Sequence, residues 1–195
     1  MNDLVFNRKR WDPFKASQQA FTAFGEFLEV SRQHRLLTCP KVPLPCHPGR
    51  WAVPALDFLK LNFYAAFNSS CHLCGGGLIL RNHLGQPIKV ALVFLDNVSN
   101  PSLAESLILR VALLYFKRWG YCGVVIEGDC QHVMQLKVSE ITQLIIFNDV
   151  HLLLRECVGS SLSWVPRSGN SVAHLLSKTA LKAECSDAKW SVWPS

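Results

Sequence analysis

Two acidic residues stand where the chain's pattern can put them to work. Glu105 lies at the start of an apolar helical run, after Ala104 and before Leu107, Ile108 and Leu109; Asp129 follows Val-Val-Ile-Glu-Gly, at the C-terminal end of a predicted strand. In parallel and mixed sheets, sites collect at strand C-termini, and a carboxylate there can bind a cation or move a proton. Each has an ordinary reading too. An acid in a helix's first turn is favoured by the dipole, and an Asp after Gly is a routine N-cap. Asp149 and Glu156 fall on the polar face of a predicted helix, and Glu184 and Asp187 fall in the tail. Arg167 with Asn170 suits a phosphate contact, although capping the last helix is the commoner role for Asn170. Trp164, Trp119 and Phe67 are possible base-stacking platforms, with core packing the commoner fate of such aromatics. Gly75–Gly77 fits a close backbone approach to nucleic acid or, more commonly, a turn or bulge between paired strands. Arg8-Lys-Arg10 with Trp11 is a small basic-aromatic cluster of the kind that usually forms a solvated end.

The eight cysteines are irregularly spaced and mostly in apolar segments, which reads as free thiols in a reducing compartment. Cys71-His-Leu-Cys74 has CxxC spacing. A structural zinc needs four ligands, and the nearest others lie across a proline-rich stretch.

These residues must be positioned by elements that the periodicity outlines. Residues 13–36 place Phe14, Phe21, Phe24, Phe27 and Leu28 at near-helical spacing, and Asp12-Pro13 is a helix start. Five prolines in residues 37–57 predict an extended linker. From residue 59 the pattern is three strands (59–67, 74–80, 87–95), with apolar side chains on both faces of the first. A helix over 101–119 follows, ended by Gly120. Then come a strand at 124–127, helices at 129–136 and 140–158, a strand at 162–165 and a helix at 171–183. Short connections make the first three strands an antiparallel meander, and alternating helices and strands make the rest parallel. The expected fold is α/β: a mixed five-stranded sheet flanked by helices. The expected division is a helical segment at 1–36, a linker at 37–57, a domain at 58–185 and a tail at 186–195.

The chain has 195 residues, 49% hydrophobic and 17% charged, too apolar and too weakly charged for disorder. No uncharged apolar run approaches the ~18–20 residues of a membrane helix, and the N-terminus lacks a secretory pattern. An intracellular protein, nuclear or cytoplasmic, is expected, without a membrane partner. The net charge of +6 is spread evenly and permits a nucleic-acid partner without requiring one.

Four segments in order carry a resemblance. They are Lys60-Leu-Asn-Phe-Tyr-Ala-Ala-Phe-Asn68; Gly75-Gly-Gly-Leu-Ile-Leu-Arg-Asn-His-Leu-Gly85; Ala104-Glu-Ser106 with Val125-Ile-Glu-Gly-Asp-Cys130; and Trp164-Val-Pro-Arg-Ser-Gly-Asn-Ser-Val-Ala-His174. Over about residues 58–182 the chain resembles the ribonuclease H-like (RNase H type-1) domain of plant non-LTR retroelements. The resemblance implies a nuclease that cuts the RNA strand of an RNA–DNA hybrid with two Mg²⁺ (or Mn²⁺) ions; the oligomeric state is left open, with a monomer expected. Carried over residue by residue, the helix Glu matches Glu105 and the strand-end Asp matches Asp129; these two are the implied metal ligands. The fourth catalytic position matches His174, a frequent variant in plant relatives. Asn68, Arg167 and Asn170 are the implied nucleic-acid contacts.

The first-strand Asp of that pattern falls on Tyr64. A phenol is neutral at pH 7 and far bulkier than a carboxymethyl group. An imidazole at 174 adds no anionic oxygen and suits Mn²⁺ or Zn²⁺ better than Mg²⁺. The resemblance therefore implies a hybrid ribonuclease with impaired activity or, alternatively, a catalytically dead nucleic-acid-binding module or an inactive retroelement remnant.

Overall fold

A computed structural model describes residues 51–138 and 141–183. The predicted N-terminal helix, the basic cluster at 8–11, most of the proline-rich segment and the tail lie outside the described residues.

The elements are β1 (Leu59–Asn68), β2 (Leu73–Arg81), β3 (Pro87–Leu95), α1 (Pro101–Trp119), β4 (Val124–Gly128), α2 (Gln131–Met134), α3 (Ile141–Glu156), β5 (Ser161–Trp164) and α4 (Ser171–Ala183). The sheet order is β3-β2-β1-β4-β5. β1, β2 and β3 pair antiparallel, whereas β4 pairs parallel to both β1 and β5. Parallel strands cannot be joined by a tight turn, so helices carry the chain from β3 to β4 and from β4 to β5.

Local chemistry explains the limits of α1. The Asn100 side chain accepts from the Leu103 amide at 2.8 Å, Pro101 takes the first helical position, and Gly120 closes the helix in the left-handed region at φ 70°. The alternation of β1 sends Leu61, Phe63 and Ala65 into the main core, with Leu78 and Leu80 of β2 and Ile108, Leu109, Leu113 and Phe116 of α1. α3 packs against α1 from outside, with Ile146, Phe147 and Val150 buried.

α4 covers β1 and β2 on the other face. There the glycines acquire a reason different from the turn, bulge or nucleic-acid approach expected of them. Gly75 and Gly77 lie inside β2, and a Cβ on Gly77 would run into the Ala173 carbonyl and the Ser177 amide of α4. They let a helix backbone rest directly on a strand.

Three further expectations change. The predicted helix over 129–136 is one turn, α2, that begins after Cys130, so Asp129 is not its cap. Glu105 is the fifth residue of α1, beyond the first turn, and is buried, so the dipole reading does not apply. The second face of β1 is not apolar at its start, because it carries Lys60 and Asn62, both buried. Among the described residues no helix is long and apolar enough to cross a membrane.

Candidate functional site

β1 and β4 run side by side in register up to Asn62 opposite Glu127. Two residues further on, Tyr64 projects from the same face of β1 and Asp129 leaves the end of β4. Glu105 reaches this end from α1: one of its oxygens accepts from the Ala65 amide at 3.2 Å. His174 on α4 meets the Tyr64 ring edge-on, with ring centroids 4.4 Å apart. The Arg167 guanidinium lies over that ring at 5.4 Å.

Asn170 joins the cluster by a route that capping did not anticipate. It lies in a 3-10 turn, Arg167–Asn170, and its side-chain amide donates to the Phe63 carbonyl at 2.7 Å and to Asp129 Oδ1 at 3.3 Å. It is a buried strut between β1, the end of β4 and the start of α4. Trp164 departs from the core reading as well: it is 50% exposed, and its indole N–H donates to the Asp129 carbonyl at 3.0 Å. Trp119 and Phe67 do pack against the core.

Three buried polar atoms in this cluster have no hydrogen-bond partner among the described residues: Glu105 Oε2, Asn170 Oδ1 and His174 Nδ1. Native proteins leave few buried polar atoms unpaired, and those they leave often mark a site. The titrations agree with such crowding. Burial first, and the Asp129 charge second, push the Glu105 carboxyl up to about 8. Burial, then Asp129, raises the Tyr64 phenol. Burial, then Lys178 and Arg167, lowers His174 and keeps the imidazole neutral.

Tyr64, Glu105, Asp129, Arg167, Asn170 and His174 are thus brought together. Asn68 is not: it stands at the β1–β2 turn, ~13 Å along the strand from Tyr64, with its side-chain oxygen accepting from the Ser70 amide at 3.0 Å.

The donor set does not match a pair of hard divalent cations. Such ions take anionic oxygens, and among the described residues no three His, Cys, Asp or Glu side chains are placed to hold a metal ion. An aromatic ring stands at position 64, against a neutral imidazole. Cys71 and Cys74 form no such group either, and burial pushes the Cys74 thiol up to about 12.

A second polar cluster was not singled out from the sequence. Lys60 Nζ pairs with Glu127 at 2.8 Å, and Asn62 donates to the other Glu127 oxygen at 2.9 Å. Arg81 and the Trp51 indole N–H both donate to Asn62 Oδ1, at 3.0 and 2.9 Å. Trp51 lies under Arg81 at 4.5 Å and Lys60 at 5.4 Å, so the described end of the predicted linker packs on the sheet. The signal was the alternation Lys60, Asn62 along one face of a strand otherwise apolar.

Comparison of the whole sequence with curated proteins finds no match. Solved structures do share the fold. RNase H1 from the halophilic archaeon Halobacterium salinarum superposes with a TM-score of 0.60 at 22% identity, covering 64% of this chain and 97% of its own. LC11-RNase H1, isolated from compost by a metagenomic approach, was solved in complex with RNA/DNA hybrid; it has a TM-score of 0.60 at 17% identity, covering 65% of this chain and 98% of its own. The N-terminal RNase H domain of a Mycobacterium tuberculosis protein gives 0.58 at 17%, over 64% of this chain and 94% of that one. Residues 62–180, well over half of the chain, match the model of the reverse transcriptase-like family. With that match and this fold, the chain belongs to the reverse transcriptase-like family as a ribonuclease H-like domain.

Proposed function

We propose that this domain binds RNA–DNA hybrid at the end of β1 and β4 and cleaves it, if at all, far more slowly than an intact two-cation ribonuclease H. The observation that carries this reading is the Tyr64 ring, packed against His174 and under Arg167 where the family pattern has its first carboxylate. Glu105 and Asp129 are the two carboxylates left for a cation such as Mg²⁺ or Mn²⁺. A site short of one anionic ligand would hold such cations less well, which corresponds to a rate loss on the order of a thousandfold. Hybrid binding is supported by the shared fold and by the LC11-RNase H1 complex with RNA/DNA hybrid. Arg167 and Asn170 stand beside the reacting position, and Asn68 offers a separate contact along the strand.

The test is a cleavage assay on labelled RNA–DNA hybrid in Mg²⁺ and in Mn²⁺, run beside a binding titration on the same substrate. Binding without turnover is expected. Robust turnover that disappears in Glu105→Gln and Asp129→Asn would restore a working nuclease. Absence of hybrid binding would leave a fold retained without this activity.

A further inference from the structure

α3 is apolar on two opposite faces. Ile146, Phe147, Val150 and Leu153 are buried where the helix packs on α1. Ile141, Leu144, Ile145 and Leu152 are exposed, Ile141 to 80% and Ile145 to 62%. Ile141, Ile145, Asn148 and Leu152 recur at steps of four, three and four. Such steps draw one stripe, ~17 Å long, on the side of the helix turned away from α1. Leu144 adjoins it. A helix that is apolar all round is ordinarily covered all round, and nothing among the described residues covers this stripe.

The chemistry of the stripe selects what covers it. From Ile141 to Leu152 it carries no ionised side chain. The acids on its flank, Asp149 and Glu156, are already met by Arg110 and Lys117, each at 2.7 Å. Two copies of this face therefore approach each other with little like-charge repulsion. Asn148 is exposed near the middle of α3. If two α3 helices run antiparallel about a two-fold axis there, Ile145 of one copy faces Leu152 of the other, and Asn148 meets its own counterpart. Exposed Arg155 is then sent to opposite ends of the pair. A carboxamide carries donor and acceptor together, so two of them pair reciprocally. A wholly apolar cover would bury Asn148 unpaired, at a cost. One asparagine in an apolar helix seam also fixes the register of the pair.

We propose that this chain forms a two-fold homodimer through the outer face of α3, with the helices antiparallel and Asn148 at the axis. Area sets its strength. The four apolar side chains offer roughly 400 Å² of surface, the size of patch that commonly marks a contact site. With Asn148, His151 and Arg155 around them, about 600 Å² per copy is covered, and the total of about 1,200 Å² lies at the lower limit for specific interfaces. The dimer is therefore a reversible one, with a dissociation constant in the micromolar range. The inference is independent of the hybrid-binding reading above.

The experiment is sedimentation velocity of the full chain over a concentration series from about 1 to 200 μM, which brackets such a constant. The average mass should rise from that of one chain toward that of two. Ile145→Glu should keep the chain monomeric throughout, with its melting temperature at the lowest concentration unchanged, because the side chain lies outside the core. Asn148→Asp should weaken the dimer at least about tenfold at pH 7, by setting two carboxylates against each other on the axis.

A wild-type chain that stays monomeric to the top of the series overturns the inference. So does a dimer indifferent to Ile145→Glu, whose interface must lie elsewhere. A dimer lost in Ile145→Glu and indifferent to Asn148→Asp overturns the antiparallel register. Should Ile145→Glu fail to fold, Leu152→Glu takes its place in the same series.

Discussion

One face of β1 carries two polar clusters two residues apart, and they are built on opposite principles. Around Lys60 and Asn62, both Glu127 oxygens are taken and Asn62 Oδ1 accepts twice. Around Tyr64, three buried atoms on Glu105, Asn170 and His174 go without a partner in the described protein. A satisfied buried network specifies structure, whereas an unsatisfied one holds free energy in reserve for a ligand. The first cluster joins β1, β2, β4 and the segment at Trp51. The second lies at the end where β4 stops and the chain turns away. The second cluster holds a phenol among its carboxylates, whereas the first ties β1, β2 and β4 together by direct contacts.

The contrast breaks most readily at the satisfied end. Glu127→Gln leaves Lys60 and Arg81 facing each other without a counterion; burial already pulls Arg81 down to about 10. The expected loss is about 3–5 kcal/mol of stability, read from urea unfolding. A loss below ~1 kcal/mol would mean that this network does not hold the sheet.

Next in size is Gly77→Ala. The added methyl group meets the α4 backbone rather than a flexible side chain. About 1–3 kcal/mol of destabilisation is expected, with α4 and His174 displaced from Tyr64. Unchanged stability, together with an unchanged His174 resonance by NMR, would show that the helix can ride outward freely.

The unsatisfied end should announce itself through pH. Glu105 titrates at about 8 in the folded protein against an ordinary 4.5, so the native state keeps a proton that the unfolded chain releases. Its contribution to stability is complete below 4.5 and is lost as pH rises through 8. The slope is at most about 1.4 kcal/mol per pH unit. His174 acts in the opposite sense and below its ordinary 6.5, because its folded value is lowered. Unfolding measured between 6.5 and 8 therefore avoids the His174 contribution and reads the decline to which Glu105 contributes. Glu105→Gln should flatten the decline, and a slope that survives the substitution would reassign it.

The smallest effect belongs to an ion pair outside both clusters. Lys117 and Glu156 meet at 2.7 Å between α1 and α3, with both side chains about half exposed. Lys117→Ala should cost less than ~1 kcal/mol. A cost comparable with Glu127→Gln would remove burial as the explanation for the difference between the two pairs.

Much of this was legible in the chain. The limits of α1 follow from Asn100-Pro101 and Gly120, which act within a few residues. The order of strands and helices follows from hydrophobic period and turn chemistry, also local. The identity of residue 64, a phenol where a carboxylate was expected, needed no coordinates. The capping role given to Asn170, the dipole reading of Glu105 and the turn assigned to Gly75–Gly77 failed together, for one reason. Each is the commonest local use of that residue type, and each residue is in fact used by a distant partner.

Sequence alone determined the local grammar: which segments are strands or helices, where α1 begins and ends, and which residue types are present for chemistry. Tertiary structure decided what those residues do. Asn170 bonds a carbonyl 107 positions away, Asn62 a carboxylate 65 away and Glu105 an amide 40 away. Periodicity and caps are written in steps of two to four residues. Whether a buried oxygen finds a partner depends on which strands lie side by side, and that is settled when the sheet closes.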